Sequence, residues 1–154
     1  FMLNPKEYST TGNQEIDGVL NYMLQKANKT LNQVDVQINI PEDLYFNNFN
    51  ICVILGNLVD NAVSEASKSK EKLLTIKMQI KQEVLLIFIE NSYSGKILEK
   101  RNGLQTTQPE LAIHGIGLEN VKKVVIANGG EIKIDYTSNR FCVQVLLYMS
   151  RIKN

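Results

Sequence analysis

The sequence predicts an α/β chain: a two-layer sandwich in which about three helices cover one face of a mixed, mainly antiparallel sheet. Two observations lead there. Apolar residues recur with helical spacing in separated stretches, and between them lie short strand-like runs, most of them paired across tight turns. The resulting order is helix, strand, helix, hairpin, long loop, helix, hairpin.

Residues 1–12 are polar and irregular and read as an N-terminal tail or linker. Asn13 then caps a helix carrying Ile16, Val19, Leu20, Met23, Leu24, Ala27 and Leu31 on one side. Val34 to Ile40 alternates with period two, as a half-buried strand does, and Pro41 stops it. The dominant helix starts at Asn47 or Asn48 and ends near Ser67. A polar bridge, Lys68 to Lys72, leads to strands over Leu73 to Ile80 and Glu83 to Asn91, with Lys81-Gln82 as the hairpin turn. Ser92 to His114 has no periodicity, and loops of that length are functional or disordered. Leu118 to Ala127 forms the third helix, ended by Asn128-Gly129-Gly130. Glu131 to Tyr136 and Phe141 to Tyr148 close the chain around the turn Thr137 to Arg140.

With 154 residues, 44% of them hydrophobic, there is material for one core and not for two, so 1–154 reads as a single domain. A net charge of +1 offers no electrostatic footprint for nucleic acid. The longest apolar runs are strand-sized, far below a membrane span. A start on Phe1 reads as an excised piece, with no signal peptide. Cys52 and Cys142 lie in apolar runs and read as buried free thiols of a reducing compartment, and one His with two Cys builds no zinc site.

Three segments can carry chemistry. Asn57 and Asn61, four residues apart, stack on one helical face about 6 Å apart along the axis. Carboxamides donate and accept without charge, so the pair suits a hydrated cation with a polyphosphate, or else caps and bonds locally. Asn91 ends an apolar strand, where its amide can meet a purine edge or form an Asx-turn. Gly115-Ile116-Gly117-Leu118 opens a helix, where free N–H groups and the dipole favour phosphate. The dinucleotide fingerprint and the P-loop pattern are both missing. His114, the only histidine, is a phosphate contact or a solvated loop residue. Lys96, Lys100 and Arg101 can reach a phosphate or simply face water.

The order and spacing of these segments resemble the GHKL ATPase superfamily: gyrase, heat-shock chaperone ATPases, mismatch-repair ATPases and histidine kinases. Within it, the chain looks most like the catalytic ATP-binding domain of sensor histidine kinases of the peptide-pheromone, accessory gene regulator type, which serve quorum sensing. The resemblance rests on Thr11 to Asp17, Ile40 to Leu44, Leu55 to Ala62, Ile89 to Ser92 and His114 to Leu118. It implies the Bergerat ATP-binding fold, with ATP and Mg2+ as cofactors. Asn61 would ligate magnesium, and Asn57 would hold the neighbouring catalytic position near the phosphates. Asn91 would read the adenine amino group, where most of the superfamily has the aspartate of an Asp-x-Gly-x-Gly box. The box glycines are missing here except for what Gly95 supplies, and Ser64 replaces a Lys or acidic residue. Residues 92–114 would be the ATP lid, ending in His114, with Gly115, Gly117 and Leu118 as the second glycine box.

The reaction implied is transfer of the ATP γ-phosphate to a histidine on a separate dimerisation domain, and then to a response regulator. The full-length protein would be a membrane-anchored homodimer with this domain on the cytoplasmic side of a bacterial plasma membrane, and the isolated chain a monomer. Since the one histidine falls inside the lid, the chain is not expected to autophosphorylate alone. The alternative is a degenerate nucleotide-binding scaffold without phosphotransfer. An ATP-gated clamp would need a carboxylate at the Asn57 position.

Overall fold

A computed structural model of the chain describes residues 11–42, 47–94 and 116–148. Helix α1 (Gln14–Thr30) starts at Asn13, whose Oδ1 accepts the Ile16 N–H at 3.2 Å. The chain entering it is held by Asp17, which accepts from the Thr11 N–H and hydroxyl and from the Gly12 N–H. Gly12 sits at φ 94°, a conformation that glycine adopts without strain. Ile16, Leu20, Leu24 and Ala27 form its buried stripe.

Strand β1 (Gln33–Asn39) follows, then helix α2 (Asn48–Lys68), capped by the Asn47 side chain on the Asn50 N–H. Helix α2 buries Ile51, Ile54, Leu55, Leu58, Val59, Ala62 and Ala66, because it lies between α1 and a third helix and also over the sheet. Strands β2 (Leu73–Lys81) and β3 (Val84–Ser92) form the first hairpin, α3 (Ile116–Ala127) the third helix, and β4 (Glu131–Tyr136) with β5 (Arg140–Tyr148) the second hairpin.

The sheet order is β1-β2-β3-β5-β4, with β1 parallel to β2 across the α2 crossover and every other pairing antiparallel. Period-two alternation turns Ile76, Ile87, Ile89, Phe141, Val143 and Val145 towards the helices, where they form the core with the inner faces of α1, α2 and α3. The mixed, mainly antiparallel α/β sandwich expected from the sequence is the fold observed.

Two expectations are corrected. The first hairpin turns at Gln82-Glu83, both at positive φ (53° and 64°), since Lys81 remains paired with Val84. That is the geometry of a two-residue turn matched to strand twist, here without the usual Asn or Gly. The thiols of Cys52 and Cys142 are half-buried. Inward placement of Phe141 and Val143 forces Cys142 onto the outer face of the sheet, opposite Glu90 and Asp135.

Candidate functional site

The candidate site is the crevice where α2 and α3 meet the end of β3. Leu58, Asn61 and Ala62 of α2 form one wall, Ile89 and Asn91 of β3 the floor, Phe141 and Val143 of β5 its continuation, and Leu118 of α3 the far wall. The sequence brings them together by two periodicities. Residues 58, 61 and 62 share a helical face, and 89 and 91 share the inner face of the strand.

Asn61 sits in this apolar wall with its Nδ2 buried and without a hydrogen-bond partner among the described residues. A buried donor left unpaired costs about 1–3 kcal/mol, which marks this Nδ2 as open to an acceptor from outside the described residues. Asn57, one turn earlier, differs: its Nδ2 donates to the Val53 carbonyl at 2.9 Å, a bond within the helix. It does not line the crevice. The local-bonding alternative therefore describes Asn57, and Asn61 alone of the pair faces the cavity.

Asn91 is buried, and its Nδ2 donates to the Ser92 carbonyl at 2.8 Å. This is no Asx-turn, where the side-chain oxygen would accept a backbone N–H. A carbonyl accepts only from the NH2 end, so the bond identifies which end of the amide is which and leaves Oδ1, among the described residues, as an acceptor beside the crevice.

Leu118 is buried against the same cavity, and Gly117 lies in the first turn of α3. Gly95, His114 and Gly115, with Lys96, Lys100 and Arg101, fall outside the described residues. Among the described residues no group of three His, Cys, Asp or Glu side chains could hold a metal ion. Magnesium does not need such a cage, because it keeps several waters and takes one or two protein oxygens plus phosphate. The orphaned atom of Asn61 is an NH2 donor, which suits a phosphate oxygen rather than a cation, so the ligand that Asn61 could offer magnesium is the Oδ1 of the same amide.

The crevice is tight, about 10 Å³, room for about one water. A trough of about 440 Å³ on the outer face of the sheet is larger, lined by Gln37, Lys77, Gln79 and Phe88. Its lysine already lies over the Phe88 ring at 5.5 Å, and no buried orphaned polar atom faces it among the described residues. The chemistry favours the smaller space.

Sequence reading missed what fixes the floor. Ser69 and Ser92 hydroxyls meet at 2.7 Å, both buried, beside Asn91. Ser69 lies in a stretch whose composition predicts a polar bridge, and only the pairing of strand ends reveals its burial.

A family model described as GHKL domain matches residues 46–148. Solved structures with a similar fold include the Acinetobacter baumannii histidine kinase AdeS, at TM-score 0.65 and 18% identity, covering 97% of this chain and 69% of that one. The mycobacterial sensor histidine kinase MprB gives TM-score 0.58 and 17% identity, covering 86% of this chain and 95% of that one. The Erythrobacter litoralis EL346 blue-light activated histidine kinase gives 0.63 and 14%, covering 86% of this chain and 41% of that one. No curated protein matches the sequence.

Proposed function

The chain belongs to the GHKL domain family, and from that premise we propose that it is the ATP–Mg2+-binding catalytic domain of a sensor histidine kinase of the peptide-pheromone, quorum-sensing type. One observation carries this reading: Asn61, whose Nδ2 has no partner among the described residues, and Asn91, whose Oδ1 is not used by the bond to Ser92, converge on one crevice from α2 and β3. Asn91 Oδ1 accepts the amino group of adenine, and the Leu118 wall packs the base. Asn61 would lend its amide oxygen to the ion and its NH2 to a phosphate oxygen, with Asn57 and the segment from Gly95 to Gly117 towards the phosphates. The ion, when bound, neutralises phosphate charge. The protein's part is positioning, which dominates phosphoryl transfer.

The acceptor histidine then belongs to a separate dimerisation domain, and the phosphate passes on to a response regulator. The whole protein is a membrane-anchored homodimer, with residues 1–154 as one cytoplasmic domain and 92–114 as its lid. Among the described residues no helix is long and apolar enough to cross a membrane, so the anchor lies elsewhere in this reading.

Calorimetry of ATP binding with and without magnesium tests it. The unmodified chain should bind more tightly with the ion, and Asn61→Ala should lose that gain, at least about tenfold. Equal affinity in both variants overturns the assignment of Asn61. The narrowness of the crevice favours one rival, a scaffold that binds no nucleotide. Absence of any ATP binding would select it.

A further inference from the structure

An asparagine is ambidextrous where an aspartate is not. Its amide can present oxygen to a donor or, turned by half a rotation, NH2 to an acceptor. Read as the adenine contact, Asn91 discriminates only if that rotation is blocked. The NH2 end is held on the Ser92 carbonyl, and rotating the amide would lose this bond and set two oxygens face to face. The selectivity of Asn91 therefore depends on how firmly Ser92 is placed.

Ser92 lies at the very end of β3, one residue past the last β2–β3 register pair, Leu74 with Asn91. Its side chain extends that pairing: the Leu73 N–H donates to Ser92 Oγ at 2.9 Å, and a weaker contact joins Ser92 Oγ to the Leu73 carbonyl at 3.4 Å. Ser69 has one proton, and its hydroxyl donates it to the Ala66 carbonyl at 2.7 Å, in the last turn of α2. The proton in the 2.7 Å contact between the two serines is therefore the one on Ser92. The remaining lone pair of Ser69 accepts the Lys72 N–H at 3.0 Å. A directed relay results, from Leu73 N–H through Ser92 and Ser69 to Ala66 C=O. It joins the helix that carries Asn61 to the strand that carries Asn91.

We infer that the Ser69–Ser92 hydroxyl relay is a positioning device that locks the Asn91 amide as an acceptor and so sets the base selectivity of the site. This rests on the adenine reading above. Neither serine touches the base.

The experiment compares binding of ATP and of inosine triphosphate, which carries a carbonyl where ATP has its amino group, together with the melting temperature of each variant. The unmodified chain should prefer ATP, and Asn91→Ala should abolish the preference. Ser92→Ala, and independently Ser69→Ala, should shrink it roughly three- to tenfold, the value of one hydrogen bond. Ser92→Thr, which keeps the hydroxyl, should restore it. Should the unmodified chain show no preference, or Asn91→Ala keep it, the adenine reading falls and the relay's role with it. Should both of those behave as expected while Ser92→Ala and Ser69→Ala melt earlier with the preference intact, the relay is only structural and the inference alone is overturned.

Discussion

Asn57 and Asn61 occupy one helical face, yet the fold satisfies the Nδ2 of the first within the helix and leaves that of the second, in an apolar wall, without a partner among the described residues. Spacing revealed the pair but not this difference, since a bond back to the Val53 carbonyl leaves no trace in the sequence. Cys142 shows a similar limit. Its apolar neighbours suggest a core thiol, but the parity of β5 puts it on the outer face, where burial and then Glu90 and Asp135 push its pKa from the usual 9 up to about 11. The folded chain then holds this proton more firmly than the unfolded chain does. Its contribution to stability is complete below pH 9 and is lost as pH rises through about 11. Iodoacetamide at pH 8.5 should label Cys142 far more slowly in the native chain than in urea. The urea midpoint should fall between pH 9 and 11, by less in Cys142→Ser. Equal labelling rates in both states would contradict the shift.

At the scale of elements, the boundaries that the sequence revealed best are those marked by side chains that bond to backbone. Asn13 and Asn47 cap their helices through Oδ1, and the same Asn13 reaches Asn48 at 3.1 Å, joining the two N-termini. Helix α3 ends as Asn128-Gly129-Gly130 implies. Gly129 at φ 72° donates to the Ile126 carbonyl, and Gly130 donates to Val125, the two bonds of a Schellman ending. The two glycines serve different needs. Gly129 needs the left-handed backbone, whereas Gly130 needs space, because a Cβ there would lie 2.5 Å from the Leu146 carbonyl and 2.7 Å from Leu147 Cδ2. A carbonyl held in the β4–β5 ladder cannot retreat. Gly130→Ala should therefore destabilise the chain by about 1–3 kcal/mol, read from chemical denaturation, with an unchanged far-ultraviolet spectrum. A loss below measurement error would mean that β5 shifts freely. By contrast, the sequence pattern places this turn at Lys81-Gln82, one residue early, since neither Gln82 nor Glu83 announces a positive φ.

For the whole molecule, the order of elements and the sidedness of the sheet were legible because both follow from hydrophobic period. The floor of the crevice was not. It depends on which strand ends meet, and Ser69 and Ser92 are 23 positions apart in sequence. The same whole-chain view limits the chemistry. Histidine is the phosphate acceptor in the proposed reaction, and His114 is the only one in the chain. The resemblance implies that it belongs to the lid, beside the second glycine box, and not to the separate dimerisation domain that would carry the acceptor. Incubation of the chain with γ-labelled ATP and Mg2+ should therefore leave it without acid-labile, alkali-stable phosphate, although calorimetry under the same conditions shows binding. His114→Ala serves as the control, since its background labelling should match that of the unmodified chain. Acid-labile label on the unmodified chain that vanishes in His114→Ala would show transfer within this chain and would overturn the assignment of the acceptor to a separate domain.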